Sequence, residues 1–216
     1  MTRFRDYPIT RLPNYPITQS TVHMRVIAGR LKGRRLKAPT WQGLRPTSDK
    51  LRETIFNILA PHVVNARVLD GFAGTGALGI EALSRGARAV TFIDSDRRAE
   101  ALVLDNLAHC GIETGYTVIR ASMPRGFERI TADPAFSPFE IVLLDPPYDL
   151  GAGRALTGAD SILAPDGILL LEHARATVAP AAAGRLVQVR RVDSGDSALT
   201  FYRLNTAGNS DRVSSF

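Results

Sequence analysis

The sequence predicts an α/β protein built on a doubly wound, mostly parallel sheet, with an antiparallel C-terminal hairpin and a small basic N-terminal appendage. Between residues 67 and 172, short apolar runs alternate with stretches of helical length. Such alternation is typical of parallel strands joined by helices. Two further apolar runs follow with no room for a helix between them, which indicates antiparallel pairing.

Composition limits the classes of protein to which the chain can belong. With 216 residues and 44% hydrophobic side chains, it can bury one substantial core but is short for two full domains. The formal charge of +6 and the pI near 10 favour a polyanionic partner, because basic clusters bind phosphates and release their counterions.

Cysteine content and hydropathy bear on the compartment. Cys110 is the single cysteine, which excludes an intramolecular disulfide and favours a reducing compartment. No apolar run reaches the roughly 20 residues that span a bilayer, and the N-terminus lacks the apolar core of a signal peptide. The four histidines show no metal-ligand spacing. We therefore expect a cytoplasmic monomer that uses neither a metal nor a membrane.

The first 23 residues differ from the rest of the chain. They repeat Tyr-Pro-Ile-Thr at residues 7–10 and 15–18 and show no helical or strand periodicity, so we predict either that translation begins at Met24 or that the segment is a disordered, dispensable tail. The alternative is a genuine extension that contacts the ribosome through Arg3, Arg5 and Arg11. We assign residues 24–60 to the basic appendage and its helix, 61–204 to the main domain, and 205–216 to a frayed tail.

Periodicity predicts the individual elements. Apolar residues at helical spacing predict a helix over residues 49–59, and Thr47 or Ser48 can cap its start. The predicted strands are 67–70, 89–94, 116–120, 140–145 and 167–172, and the predicted helices between them are 76–85 and 96–109. A turn through residues 193–196 joins strands 186–192 and 199–204 into the terminal hairpin.

A glycine-rich turn follows the first predicted strand. Asp70 closes the strand, and Gly74 and Gly76 permit a tight turn that a ligand can approach closely. In a dinucleotide site such glycines hold a pyrophosphate, which Asp70 would repel. The same carboxylate can pair with a cationic amino group, and S-adenosylmethionine has that group and no phosphate.

Asp94 closes the next predicted strand, about twenty residues further on. Acidic residues at this place accept hydrogen bonds from ribose hydroxyls, so Asp94 suits the ribose of the same cofactor. A simpler alternative is that Asp70 and Asp94 cap the helices that follow them, as strand-end aspartates often do.

A second candidate loop begins at Asp145, where the buried strand 140–145 ends in Asp145-Pro146-Pro147-Tyr148. The prolines stop the strand and stiffen a loop at the carboxyl edge of the sheet, where ligands bind in open α/β folds. Asp145 can accept hydrogens from an exocyclic amine, and an extruded base can stack on Tyr148. Glu172 and His173, at another strand end, are candidates to line the same pocket. The alternative is an ordinary proline-rich turn.

The segment after Met24 is densely basic, with no acidic residue before Asp49. RNA bases are recognised best when unstacked, so such a segment can hold phosphates while one base enters the neighbouring pocket. The candidate RNA-binding residues are Arg30, Lys32, Arg34, Arg35, Lys37 and Arg45. Trp41 either stacks on a base or is partly buried in the core.

The motif Asp145-Pro146-Pro147-Tyr148, together with the acidic glycine loop, resembles that of the amino-group methyltransferases. Within that class, segments 25–36 and 43–54 and the helix 77–87 are similar to the bacterial 16S rRNA guanine-N2 methyltransferase family. The resemblance runs from residue 24 to about residue 204. It implies a Rossmann-like fold and methyl transfer from S-adenosylmethionine to N2 of a guanine in small-subunit rRNA, the family's target being guanine 966.

The resemblance also assigns roles to residues. It implies a catalytic loop from Asp145 to Tyr148 and an rRNA partner in the assembling or assembled small subunit, held by the basic segment. The implied cofactor contacts are Asp70, Phe72, Ala73, Gly74, Gly76, Asp94 and Ser122. Ser122 departs from the family pattern, in which Asp or Asn usually ends the third strand and binds the adenine amino group.

Two other functions stay open at this point. One is an rRNA-binding module with a methyltransferase fold and no turnover, against which the complete Asp145–Tyr148 loop argues. The other is a DNA adenine-N6 methyltransferase, which normally needs a target-recognition region. No insertion in this chain is long enough to form such a region.

Overall fold

The computed structural model describes residues 24–39, 41 and 47–205, which form one eight-stranded sheet in the order β3-β2-β1-β4-β5-β8-β7-β6. The strands are β1 (Arg67–Gly71), β2 (Ala89–Asp94), β3 (Tyr116–Arg120), β4 (Phe139–Leu144), β5 (Leu163–Ala174), β6 (Ala182–Ala183), β7 (Leu186–Ser194) and β8 (Ser197–Leu204). The helices are α1 (Asp49–Val63), α2 (Ala77–Ser84), α3 (Arg97–His109), α4 (Arg125–Thr131) and α5 (Ala152–Ala155), followed by a 3-10 turn at Ala159–Ser161.

The sheet confirms the predicted fold class. Strands β1 to β5 pair with one another in parallel, and β8 and β7 extend the sheet beyond β5 in antiparallel orientation. The chain winds outward from β1 through β2 to β3 and then returns to the other side of β1 with β4. Order reverses between β1 and β4, and such switch points form ligand crevices at the carboxyl ends of the strands.

Helices cover both faces of the sheet. Buried side chains of α1, α2 and α3 join one core cluster, in which the strands contribute Val68, Ile141 and Leu143. Those of α4 and α5 join a second cluster with the alternate strand residues Leu69 and Val142. Buried side chains of the central strands thus alternate between two covered faces, as expected for a parallel sheet.

The N-terminal segment pairs with itself as a short antiparallel ribbon. The Val26 amide donates to the Arg34 carbonyl at 2.9 Å, and the Leu36 amide donates to the Met24 carbonyl at 2.8 Å. We call residues 24–37 the basic ribbon. Met24, Val26, Leu31 and Leu36 are buried in the cluster that also holds α1, α2 and α3. The appendage therefore shares its core with the main sheet.

Several sequence predictions fall outside the described residues. These are the dispensable tail and start site before Met24, the RNA-binding role of Arg45, and the frayed tail beyond Asn205. Among the residues that are described, no helix is long and apolar enough to cross a membrane.

Candidate active site

The two loops singled out in the sequence meet at the switch point of the sheet. Gly71 at the end of β1 pairs with Leu144 at the end of β4. The amide of Asp145 then points at the Gly71 carbonyl, with 3.4 Å between N and O. The glycine loop and the Asp145–Tyr148 loop therefore leave the same edge of the sheet side by side.

Asp70 lies in the interior, one residue before the end of β1. Its Oδ2 accepts a 2.8 Å hydrogen bond from the amide of Gly79, in the first turn of α2. Burial raises the pKa of the Asp70 carboxyl to about 8, with the neighbouring Asp145 and Asp94 carboxylates acting in the same direction and the Gly79 hydrogen bond opposing them. Asp70 thus binds the N-terminus of α2, as the capping alternative predicted. It also belongs to an acidic cluster at the carboxyl edge of the sheet.

Asp94, at the end of the neighbouring strand β2, forms a hydrogen bond to the glycine loop. Its Oδ2 accepts a 2.9 Å hydrogen bond from the Gly74 amide, and its Oδ1 accepts one of 2.9 Å from the Asp96 amide. The N-cap of α3 is Asp96, whose side chain accepts from the Arg98 amide. Asp94 therefore joins the end of β2 to the loop of β1, and a different aspartate caps the helix.

The glycine loop has an unusual backbone. Gly76, the N-cap of α2, has φ +75°, and Phe72 has φ +62°. A positive φ in a bulky non-glycine residue is strained, and such residues cluster at functional sites. Ala73 is held by a 3.0 Å hydrogen bond from its amide to the Ile93 carbonyl. The loop is thus held in a fixed form at the mouth of the crevice.

Ser122 follows β3 at the same edge. The preceding residue, Ala121, donates its amide to the Asp94 carbonyl at 2.9 Å, and the Ser122 carbonyl accepts from the Gly126 amide at 2.9 Å. The residue is exposed. Ser122 therefore lies next to the Asp94 loop, where a cofactor contact is expected.

Asp145 is held from the N-terminal part of the chain. The hydroxyl of Thr47 donates a 2.8 Å hydrogen bond to its Oδ2. Burial raises the pKa of Asp145 to about 6, against the opposing effect of the Thr47 hydrogen bond. At neutral pH the group is therefore mostly a carboxylate, which can accept a hydrogen bond.

The remainder of the loop separates into a buried and an exposed part. Pro146 is buried, Pro147 is exposed, and Tyr148 is 53% exposed. The loop borders a small surface pocket that His173 also lines. Tyr148 thus offers an accessible ring beside this pocket.

His173 lines this pocket with both ring nitrogens engaged. Nδ1 lies 2.9 Å from the Ala174 carbonyl, and Nε2 lies 2.8 Å from Oγ1 of Thr200. Because a carbonyl can only accept, Nδ1 is the donor in the first of these contacts. Glu172, the other candidate, accepts from the Ser197 hydroxyl at 3.1 Å.

The candidate RNA-binding residues differ in their surroundings. Arg30, Lys32, Arg34 and Arg35 are exposed, and none of them forms an ion pair within the described part of the chain. Lys37 instead pairs with Asp105, with Nζ at 2.7 and 2.8 Å from the two carboxylate oxygens. The first four therefore offer the more available positive charge.

Trp41 is half-buried, and a guanidinium occupies one face of its ring. The central carbon of Arg98 lies 5.0 Å from the ring centroid, within the range of a cation–π contact.

Buried polar side chains that sequence reasoning missed anchor the basic ribbon. Glu81 accepts from the amides of Ile27 and Ala28 at 2.7 and 3.0 Å, and the Ser84 hydroxyl accepts from the Leu31 amide at 3.0 Å. Glu81 and Ser84 lie on α2, more than 50 residues along the chain. The signal available in the sequence was a glutamate and a serine inside an otherwise apolar helix.

A sheet of this order, with an acidic glycine loop after β1 and an Asp-Pro-Pro-Tyr loop after β4, is the architecture of a methyltransferase. A family model described as conserved hypothetical protein 95 matches residues 24–203, and the chain belongs to this family.

Two curated relatives are similar over most of the chain. Ribosomal RNA small subunit methyltransferase D of Escherichia coli strain K12 is 35% identical over 191 residues, which cover 87% of this chain and 93% of the relative. YlbH of Bacillus subtilis strain 168, named as a candidate rRNA methyltransferase, is 38% identical over 183 residues, covering 83% and 98%. The family resemblance drawn from the sequence motifs is confirmed.

Solved structures agree with this placement. The yhhF protein of Escherichia coli, named as a candidate methyltransferase, matches with a TM-score of 0.70 at 34% identity, covering 84% of this chain and 98% of that one. TrmN of Thermus thermophilus matches with a TM-score of 0.58 at 23% identity, over 71% of this chain and 48% of that one. The latter likeness concerns the fold alone.

Proposed function

We propose that the protein transfers a methyl group from S-adenosylmethionine to the exocyclic N2 of a guanine in 16S rRNA, within the assembling or assembled small ribosomal subunit. The observation that carries this proposal is the meeting of the glycine loop and the Asp145–Tyr148 loop where Gly71 pairs with Leu144. The name of the Escherichia coli relative, a ribosomal RNA small subunit methyltransferase, supports the substrate class.

The acidic character of the crevice fits a cationic cofactor. Asp70, Asp94 and Asp145 lie close enough for the last two to raise the pKa of the first. Such a cluster would repel a pyrophosphate and attract an ammonium group. S-Adenosylmethionine supplies an electrophilic methyl group when bound. The residues that would hold it are Asp70, Phe72, Ala73, Gly74, Gly76, Asp94 and Ser122.

The second loop suits an amine on a base. The lone pair of an exocyclic amine is conjugated into the ring, so the group is a poor nucleophile and must be oriented. The Asp145 carboxylate would accept one amino hydrogen, and Pro146 and Pro147 keep its loop rigid. Stacking of the base on Tyr148 would contribute about 1–3 kcal/mol. Positioning supplies most of the remaining barrier reduction.

The basic ribbon would hold the RNA backbone. The tip of the ribbon lies beside Ser84, at the end of α2, because the Arg30 amide donates to the Ser84 carbonyl at 2.8 Å. Eight helical residues separate it from the glycine loop, a rise of about 12 Å. Phosphates can therefore be bound along one side while a single guanine enters the crevice. Arg30, Lys32, Arg34 and Arg35 are the residues we assign to this role, with Lys37 and Arg45 as further candidates.

The test is methylation of small ribosomal subunits from a strain that lacks the gene, followed by mapping of the modified nucleotide. Asp145→Ala should lower the transfer rate by at least about 100-fold, the scale of a lost acid–base contact, and change cofactor affinity, measured by calorimetry, by a much smaller factor. Asp149→Ala, which removes an exposed carboxylate of the same segment, is the matched control. Near-normal transfer by Asp145→Ala, or a methyl group on another base, would overturn the proposal.

A further inference from the structure

Thr47 connects the N-terminal part of the chain to the Asp145–Tyr148 loop. Its hydroxyl lies 2.8 Å from Oδ2 of Asp145, although 98 residues separate the two along the chain. Capping of α1 does not require this hydroxyl, because the N-cap is Ser48, whose Oγ accepts from the Leu51 amide at 3.2 Å. The Thr47 side chain is therefore directed to the candidate catalytic group.

The backbone that carries Thr47 is fixed by the helix it precedes. Helix α1 buries Leu51, Ile55 and Leu59 in the core beneath the basic ribbon. Its first residue, Asp49, pairs with the buried Arg52 at 2.7 Å. The hydroxyl is thus presented to Asp145 from the start of a packed helix.

We propose that Thr47 is a positioning residue for methyl transfer, whose hydroxyl holds Oδ2 of Asp145 so that Oδ1 faces the amine of the target base. This inference rests on the proposed function. A hydrogen bond to one oxygen restricts rotation of the carboxylate, and orientation is what methyl transfer to a weakly nucleophilic amine requires. A donated hydrogen bond also favours the ionised form, which alone can accept the amino hydrogen through either oxygen.

Other titratable groups lie around Asp145. Asp70 on β1 is its acidic neighbour, since the Asp145 carboxylate, together with Asp94 on β2, raises the pKa of Asp70. His173 on β5 shares the pocket beside Pro146 and is held by Thr200 and the Ala174 carbonyl. On the side of α1, the charge of Asp49 is paired with Arg25 and Arg52. Thr47 is the neighbour that donates a hydrogen bond to Asp145 among the described contacts.

The test compares Thr47→Val, which keeps the shape and removes the donor, with Thr47→Ser, which keeps the donor. Thr54→Val is the matched control, since its hydroxyl bonds only to the Lys50 carbonyl within α1 among the described contacts. Single-turnover transfer to small subunits is followed from pH 5 to pH 9. Thr47→Val should move the acidic limb of the profile upward by about one pH unit, the effect of one hydrogen bond to a charged group, and lower the plateau. Thr47→Ser should retain the wild-type pH profile.

A second measurement separates this inference from the proposed function. The Asp145 carboxyl carbon, assigned by its loss in Asp145→Asn, is titrated by NMR in wild type and in Thr47→Val without any RNA. A higher titration midpoint in Thr47→Val supports the contact even if the wild type methylates no subunit, an outcome that would refute only the proposed function. Unchanged midpoint and pH profile in Thr47→Val, with an active wild type, would refute the positioning role.

Discussion

Asp70 is a buried carboxyl group at the ligand-binding edge of the sheet. The Gly79 amide stabilises its ionised form, but burial prevails and raises its pKa to about 8. At pH 7 the side chain is therefore mainly protonated. A ligand ammonium beside it would favour the carboxylate, because an opposite charge lowers the pKa of an acid.

Cofactor binding is therefore expected to release a proton. Asp70 changes from mainly protonated to ionised at pH 7, so close to one proton should leave for each cofactor bound, and affinity should increase with pH until it levels off above about 8. Calorimetric titration with S-adenosylhomocysteine, which has the same amino group, in buffers of different ionisation enthalpy measures the number of protons.

Asp70→Asn is the control, since its amide oxygen can still accept from Gly79. It should bind more weakly and release no proton. The pH dependence of stability independently checks the direction of the Asp70 pKa shift. An acid whose folded pKa is raised from 3.8 to about 8 loses stability as pH rises through that window. Asp70→Asn should therefore raise Tm relative to wild type more at pH 8.5 than at pH 5. Proton release that persists in the variant would assign it to another group.

Single residues also show what local sequence cannot decide. The spacing before α1 allowed either Thr47 or Ser48 to be its cap, and only the fold shows that Ser48 takes this place while Thr47 reaches Asp145. The Asp145 loop itself was predictable, because the carboxyl ends of parallel strands share one edge. Its hydrogen-bond partner Thr47, 98 residues away, was not predictable, because a hydrogen bond between residues so far apart in sequence leaves no periodic pattern.

At the scale of elements, periodicity predicted the interiors of helices and strands better than their ends. Helix α1 continues past Pro61 to Val63, because Val63 is buried one turn beyond Leu59 and extends the apolar stripe. Strand β5 begins at Leu163, four residues before the predicted start. A register shift between β4 and β5 accommodates a Pro-Asp-Gly segment that resembles a loop.

Short elements with little buried surface were not predicted at all. Helix α4 has seven residues, of which Gly126 and Phe127 are buried, and α5 has four residues. One or two buried positions cannot define a period of 3.6. The longer α2 and α3 were predicted to within one residue at either end, because each carries its own strong start signal, Gly76 and Asp96.

The packing of α2 on β2 leads to a prediction about Gly79. A Cβ added there would lie 2.2 Å from the ring of Phe92, which is fully buried and has no free space to move into. Gly79→Ala should therefore lower the free energy of unfolding by about 1–3 kcal/mol, as overpacked cores do, despite the better helix propensity of alanine. Chemical denaturation measures the change.

The matched control is Gly153→Ala in α5, where the nearest atom to an added Cβ is 3.8 Å away. It should leave stability unchanged or raise it by up to about 1 kcal/mol through helix propensity. Equal effects of the two substitutions would contradict close packing of α2 on β2.

At the scale of the whole molecule, charge is separated. The crevice is acidic through Asp70, Asp94 and Asp145, whereas the ribbon beside it is basic. Asn106 lies between them, since it accepts from the Lys37 amide at 2.7 Å and donates to the Thr75 carbonyl of the glycine loop at 2.9 Å. A cationic cofactor and an anionic RNA would thus be attracted to neighbouring but different parts of one core.

This separation predicts how RNA affinity depends on salt. Arg34→Ala combined with Arg35→Ala should reduce the slope of log affinity against log salt by about 1.5, since two phosphate contacts are lost and each contributes about 0.7–0.9. Cofactor affinity should not change.

Arg185→Ala combined with Arg191→Ala is the control, because it removes the same charge from residues already paired with Asp160 and Asp193. Binding of a small-subunit rRNA fragment is measured between 50 and about 300 mM salt. An equal change of slope in both double variants would mean that only net charge matters, and an unchanged slope in the first would show that the ribbon does not contact the RNA backbone.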